Sequence, residues 1–199
     1  ILSNTKKKNS LITSGVRPTM DKQNTEMTAQ DVLEFIQLMS QNNIEMWVDG
    51  GGAVDALLGS QTRLHDDLDI AVRHRNAGRI QALLAARGYA EIERDDSWLC
   101  NFVMGDSLGH CIDIHSFEFD DEGNCIFGVR YPADALKGSG TIDGKPVQCV
   151  TADWLVQFHT GYTVDENDYR DIKALCDQFG LELPKEYESF QKSDKETKK

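Results

Sequence analysis

A chain of 199 residues, 40% apolar and 27% charged, is long enough to bury its own core and ordinary enough in composition to be globular. Its 33 acidic against 21 basic residues leave a net charge of −12, which argues against non-specific nucleic-acid binding, because that needs a basic surface. An acidic cleft would concentrate a cationic small substrate, although solubility alone also accounts for the charge.

Residues 1–26 are polar and aperiodic and read as a disordered or vector-derived leader, with Met20 and Met27 as candidate starts. The body divides into a main domain over 27–150 and a small helical portion over 151–192, with a charged tail at 193–199. Thr28 with Asp31 predicts a capped helix with Val32, Leu33, Ile36 and Met39 as its apolar stripe, ended by Asn42 and Asn43. Residues 46–48 are apolar and β-prone. Gly50, Gly51 and Gly52 then break regular structure, and a helix is expected over 53–58, closed by Gly59. A glycine turn opening a helix favours an anion, because bare amides and the helix dipole both present positive charge.

Leu68, Ile70 and Val72 alternate with Asp67, Asp69 and Ala71, the pattern of a strand. Asp67 and Asp69 therefore share a face, roughly 7 Å apart at Cα, while Asp66 points away. Asn76 is expected to cap a helix buried through Ile80, Leu83 and Leu84 and stopped at Gly88. Arg73, Arg75 and Arg79 near its start read either as phosphate ligands or as solvated surface with local ion pairs. Strands are predicted over 89–93, 98–104 and 110–119, with hairpin turns at 120–124 and at Asp143-Gly144. In the strand over 110–119, Ile112 and Ile114 take one face; Cys111, Asp113, His115, Phe117 and Phe119 take the other. An acid in that company is costly unless paired, ligated or open to a cleft, which makes Asp113 a candidate.

Trp154, Leu155 and Phe158 mark a helix face after Thr151. Thr163 with Glu166 predicts the cap of a last helix, with Ile172, Leu175, Cys176 and Phe179 as its core stripe, Lys173 to one side and Gly180 as the stop. Five scattered cysteines without a Cys-x-x-Cys predict buried free thiols in a reducing cytosol. No apolar run reaches membrane-spanning length, and no signal peptide is visible.

Two carboxylates on one rigid face beside a phosphate-holding turn suggest a divalent cation and nucleoside triphosphate chemistry. Oxygen ligands without clustered Cys or His favour Mg²⁺ over Zn²⁺. Taken singly, an Asp-x-Asp is most often the solvated face of a strand and a glycine run an ordinary turn. Together, in strand–turn–helix–strand order, they are much less common. A dinucleotide fingerprint is excluded, because Asp55 occupies the place of its third glycine.

Gly50-Gly51 followed by Asp67-x-Asp69 resembles the signature of the nucleotidyltransferase superfamily related to DNA polymerase β. Further strings are Trp47-Val48-Asp49-Gly50-Gly51, Val54-Asp55, Arg63-x-His65-x-Asp67-x-Asp69-Ile70, Ile112-Asp113-Ile114-His115, Phe158-His159-x-Gly161-Tyr162 and Asp171-Ile172-Lys173. They are similar to small antibiotic nucleotidyltransferases, lincosamide enzymes first and aminoglycoside 2''-enzymes next, over roughly residues 29 to 180. The resemblance implies an α+β fold of the polymerase β type: a mixed β-sheet flanked by helices, with residues 27–150 as the nucleotidyltransferase domain and a small C-terminal helical portion.

The activity implied is Mg²⁺-dependent transfer of a nucleoside monophosphate from a triphosphate, ATP being the expected donor, to a hydroxyl of a small antibiotic, with release of pyrophosphate. Asp67, Asp69 and Asp113 would be catalytic and hold the metal, with Asp113 as general base. Gly50, Gly51, Gly52, Asp55, Arg63, His65 and Lys173 would bind the nucleotide, Arg63 and Lys173 at its leaving pyrophosphate. Trp98, Tyr131 and Tyr162 would shape the antibiotic pocket. Gly52 stands where those families usually carry a bulky or hydroxyl residue, which implies a looser phosphate turn. The expected partners are the triphosphate and a small cationic hydroxylated substrate, with no nucleic acid and no membrane, and a homodimer as one option. A nucleotide-binding module without catalysis, and a nucleotidyltransferase with a protein or RNA acceptor, are the alternatives.

Overall fold

Eight strands form one mixed sheet in a computed structural model that describes residues 25–94 and 97–191. Residues 1–24 of the expected leader and the expected tail at 193–199 lie outside the described residues. In chain order the elements are α1 (Ala29–Gln41), β1 (Met46–Val48), α2 (Gly50–Leu58), β2 (Asp67–Arg73), α3 (Ala77–Ala85), β3 (Ala90–Ile92), β4 (Asn101–Gly105) and β5 (Cys111–Phe119). After them come β6 (Cys125–Gly128), β7 (Gly138–Ile142), β8 (Lys145–Cys149), α4 (Ala152–Phe158) and α5 (Glu166–Phe179).

The strand order is β3-β4-β5-β2-β1-β8-β7, with β6 also paired to β5. β2 is central. It runs antiparallel to β1 and parallel to β5, whose nine residues also pair with β4 and β6. The apolar alternation of β2 explains its place: Leu68, Ile70 and Val72 are buried in the core, which leaves Asp67 and Asp69 on the opposite face. One hydrophobic cluster runs from Met27 to Tyr187 and takes in the inner faces of α1, α2, α4 and α5. No helix among the described residues is long and apolar enough to cross a membrane.

The α1 capping box forms as expected: Asp31 N–H donates to Thr28 Oγ1, and Thr28 N–H donates to Asp31. Asp143 and Gly144 both take positive φ, 52° and 73°, in the hairpin between β7 and β8. Some local expectations differ. The strand expected over 98–104 begins at Asn101, with Trp98 making only an isolated bridge to Asn101. Helix α2 begins at Gly50 rather than at residue 53, because Asp49 caps it and Ala53 N–H already donates to the Asp49 carbonyl. Asp165, not Thr163, caps α5; its carboxylate accepts from Asn167 and Asp168 N–H, and Asp168 returns the contact. Asn76 makes no side-chain cap, since a tight turn over His74–Asn76 leads into α3. Phe179 is 44% exposed, at the frayed end of its stripe rather than in the core.

Candidate active site

The parallel pairing of β2 with β5 sets Asp69 directly opposite Asp113. Adjacent strands lie about 4.8 Å apart, so Asp67, Asp69 and Asp113 crowd onto one small area of the sheet face. The turn leaving β1 brings in the start of α2: Asp49 N–H donates to the Asp69 carbonyl at 2.9 Å. Gly50 comes next, with φ +53°, and a Cβ there would stand 2.1 Å from Asp69 Oδ2. Glycine at 50 is thus required twice, by backbone conformation and by contact with the carboxylate.

His115 lies two residues beyond Asp113, on the same face of β5. Its Nε2 is 3.4 Å from Asp113 Oδ1, and its Nδ1 is 3.5 Å from Asp49 Oδ2. Asp49 is pinned in turn: Gly50 N–H donates to Oδ1 at 2.8 Å, and the Tyr131 hydroxyl donates to Oδ2. Arg94 approaches from the other side, its Nη1 3.8 Å from Asp113 Oδ2. Four carboxylates (Asp49, Asp67, Asp69 and Asp113) therefore meet two cationic groups, His115 and Arg94.

Burial first, and the crowding of like charge after it, shifts the protonation of these groups. Burial, reinforced by the charge of Asp67, pushes the Asp69 carboxyl up to about 7. Burial and the charge of Asp113 raise Asp67, with Arg94 opposing. Burial would raise Asp49 too, but the contacts with His115, Tyr131 and Gly50 outweigh it and hold Asp49 below the usual carboxylate range. For His115, burial alone would disfavour the charged ring; Asp113, Asp49 and Asp69 reverse this and lift it well above an ordinary histidine.

A divalent cation fits this donor set. Asp113 Oδ1 is buried with no hydrogen-bond partner, and Asp69, Asp113 and His115 offer ligand atoms that all lie within 4.8 Å of one another. The expectation of oxygen ligands without a clustered histidine is corrected here: the register of β5 brings His115 into the group.

Gly51 and Gly52 are the second and third residues of α2, so their N–H groups have no acceptor within the helix. A Cβ on Gly51 would meet His65 Cε1 at 2.5 Å and Arg63 Nη2 at 2.7 Å, so both side chains lie over this turn. The expected looseness at Gly52 is not found. Gly52 sits in the first turn of a regular helix, where an added Cβ would meet only Val48 Cγ1 at 3.1 Å and Leu68 Cδ1 at 3.8 Å.

Asp55 has both oxygens occupied. Oδ1 accepts from Thr62 N–H and Oγ1, and Oδ2 lies 2.6 Å from His65 Nε2. It fastens the loop before β2 and thereby places His65. Arg63 is held by α5, its Nε 3.0 Å and Nη2 2.9 Å from Asp171 Oδ2. Lys173 pairs with Asp177 along the surface of α5, and that is the only ion pair it makes among the described residues.

Of the expected pocket residues, Tyr131 alone lines a cleft at the site. That cleft, about 480 Å³, is lined by Asp49, Gly50, Asp69, His115, Tyr131 and Phe158, together with the 129–130 segment and His159. Trp98 is 61% exposed in the loop before β4, and Tyr162 is 47% exposed between α4 and α5; neither lines the cleft. Four residues of the site carry no assigned role in the sequence: Asp49, His115, Arg94 and Asp171. His115 shares the period-2 face of Asp113, and Asp49 directly precedes the glycines, so both carried a signal. Asp171 stands in the matched string Asp171-Ile172-Lys173, with no role given to it there; Arg94 arrives only through a tertiary contact.

The family described as aminoglycoside-2''-adenylyltransferase matches residues 31–175. A lincosamide resistance protein of Staphylococcus haemolyticus is 27% identical over 160 residues, which is 76% of this chain and 96% of that protein. A 2''-aminoglycoside nucleotidyltransferase of Escherichia coli is 33% identical over 117 residues, 58% of this chain; the chain spans 63% of that relative's length. Among solved structures, the lincomycin-bound lincosamide antibiotic adenylyltransferase LnuA superposes with a TM-score of 0.67 at 23% identity, covering 76% of this chain and 98% of that one. ANT(2'')-Ia in complex with adenylyl-2''-tobramycin superposes with a TM-score of 0.61 at 22% identity, over 76% and 89%.

Proposed function

The chain belongs to the aminoglycoside-2''-adenylyltransferase family and is a nucleotidyltransferase, and from that premise we propose that it transfers a nucleoside monophosphate from ATP, or another triphosphate, to a hydroxyl of a lincosamide or aminoglycoside antibiotic, releasing pyrophosphate. The observation that carries this reading is the register of β2 on β5, which faces Asp67, Asp69 and Asp113 together toward the start of α2.

In this reading Asp67, Asp69 and Asp113 hold Mg²⁺. When bound, the metal supplies charge neutralisation on the triphosphate and lowers the cost of forming an alkoxide nucleophile. The amides of Gly51 and Gly52, at the positive end of α2, and the Arg63 guanidinium over Gly51 hold the phosphates and stabilise the departing pyrophosphate. Asp55 acts through His65 and the loop rather than on the nucleotide. Lys173 would reach the pyrophosphate only by leaving Asp177. Asp113 takes the proton of the acceptor hydroxyl.

The cleft beside Asp69 takes the acceptor. Its volume suits a small antibiotic, since ligand pockets run about 300–1,000 Å³. Asp49 and Asp69 in its wall favour an amine-bearing molecule, and Tyr131 and Phe158 supply apolar contact. Trp98 and Tyr162 enter the proposal only as outer rim. The cytosol is the proposed compartment, in keeping with five free cysteines. The net charge of −12 supports the absence of a nucleic-acid partner, and a homodimer is part of the same proposal.

The test is pyrophosphate release with Mg²⁺ and ATP or GTP against a panel of lincosamides and aminoglycosides, with no-acceptor controls. Release dependent on one antibiotic class is expected. Silence across the panel, with nucleotide still bound, would overturn transfer to an antibiotic.

A further inference from the structure

We propose that His115 is itself a metal ligand, so that Asp69, Asp113 and His115 form a site of two carboxylates and one imidazole that binds Mn²⁺ in preference to Mg²⁺. The proposal rests on the nucleotidyltransferase reading for the presence of a metal, and goes beyond it in the ligand and the metal chosen.

Three features of the geometry point this way. The donor atoms of Asp69, Asp113 and His115 lie within 4.8 Å of one another, a spread that one ion can bridge. The approach of His115 Nε2 to Asp113 Oδ1, 3.4 Å, is too long for the charge-assisted hydrogen bond that two such groups would otherwise make, which is about 2.7–2.9 Å. Asp113 Oδ1 accordingly stays buried without a hydrogen-bond partner. The two groups lie side by side, facing the same space.

The far side of the ring is built as an orienting shell. Nδ1 faces Asp49 Oδ2 at 3.5 Å and the Tyr131 hydroxyl at 3.3 Å. Asp49 cannot turn away, because Gly50 N–H and Tyr131 hold both its oxygens. The Tyr131 hydroxyl at 3.3 Å can accept from Nδ1–H, so the proton that a metal would displace from the charged ring is the one on Nε2, the arrangement common to ligating histidines. A histidine kept only as a fixed counter-cation needs no such one-sided support.

The choice of metal follows from the ligand. Mg²⁺ prefers oxygen and gives up its water reluctantly, whereas first-row transition ions gain more from an imidazole, Mn²⁺ the least of them and the one nearest Mg²⁺ in its taste for carboxylates. Replacing His115 should therefore weaken Mn²⁺ far more than Mg²⁺.

The experiment is pulsed electron paramagnetic resonance on the metal-stripped full chain loaded with Mn²⁺. Nitrogen modulation from a directly bound imidazole is expected in the unsubstituted protein. His115→Gln should abolish it and weaken Mn²⁺ binding by about tenfold or more, while Asp49→Asn keeps the signal and weakens binding by about tenfold. Mn²⁺-loaded protein without nitrogen modulation would overturn the proposal, as would His115→Gln binding Mn²⁺ as tightly as the parent. The first of these readings needs no variant, so a misfolded substitution cannot decide it. A missing nitrogen signal alongside antibiotic-dependent pyrophosphate release in Mg²⁺ would remove His115 as a ligand and leave the transfer reaction standing. A nitrogen signal with no transfer to any acceptor would do the reverse.

Discussion

Replacing Gly50 with alanine separates the site from the fold. Gly50 has φ +53°, and the new Cβ would lie 2.1 Å from Asp69 Oδ2. The left-handed backbone costs a residue with a side chain about 1–2 kcal/mol. The overlap runs from Oδ2 down to Cγ at 2.8 Å and Cβ at 3.1 Å, so Asp69 must leave its rotamer, at about 1 kcal/mol, and its strand must give slightly as well. The net loss, about 2–3 kcal/mol, should lower the melting temperature of a chain this size by roughly 5–10 °C and leave it folded at 25 °C.

The effect on catalysis is larger. An Asp69 displaced by about 1 Å no longer meets Asp113 across the strand pair, and misplacement on that scale costs on the order of 100-fold in rate. Gly52→Ala is the comparison at the same turn: its Cβ would stand 3.1 Å from Cγ1 of the buried Val48, which must give by a few tenths of an ångström, against a helix preference for alanine over glycine of about 0.5–1 kcal/mol, and it leaves Asp69 in place. Urea unfolding and pyrophosphate release, run on both variants, check the argument. Gly50→Ala turning over within a few-fold of the parent would refute it.

Other expectations follow from the same contacts. Asp67→Asn or Asp69→Asn should abolish transfer without loss of stability, because each removes a carboxylate from a crowd of like charge; thermal melts and turnover check both halves. Arg63→Ala should destabilise by about 2 kcal/mol, a value reduced for the part-exposed arginine, because it leaves Asp171 buried without its cation. Adding Asp171→Asn should recover part of that loss in urea unfolding. For Asp106, burial pushes the carboxyl up, but bonds from His110 and from the amides of His110 and Leu108 hold it below its usual value. Its contribution is therefore present above the unfolded carboxylate pKa and lost as pH falls through the folded one. Asp106→Asn should lower the urea midpoint at pH 7, and the gap to the parent should close in acid.

Much of this site was legible in the sequence because a strand's period of two is strict. Alternation placed Asp67 with Asp69 and Asp113 with His115, and the parallel pairing of β2 and β5 then brought the two sets into contact. The glycines were legible as a break after β1 but not as a helix start, because helix propensity penalises them while the first turn of a helix scarcely draws on propensity. Roles assigned by type alone fared less evenly. Asp55 and Arg63 look alike as nucleotide ligands in one dimension, yet Asp55 spends both oxygens on Thr62 and His65, and Arg63 is steered by Asp171, 108 positions away. Trp98 and Tyr162 are aromatic near matched strings, but only the fold shows that Tyr131 turns toward Asp49 while they face solvent.

The most direct test of the account is mass analysis of the acceptor after incubation with the chain, Mg²⁺ and a triphosphate. The account predicts an antibiotic heavier by one nucleoside monophosphate, formed in step with pyrophosphate and absent with Asp69→Asn. A folded, nucleotide-binding chain that yields no adduct with any lincosamide or aminoglycoside would contradict it.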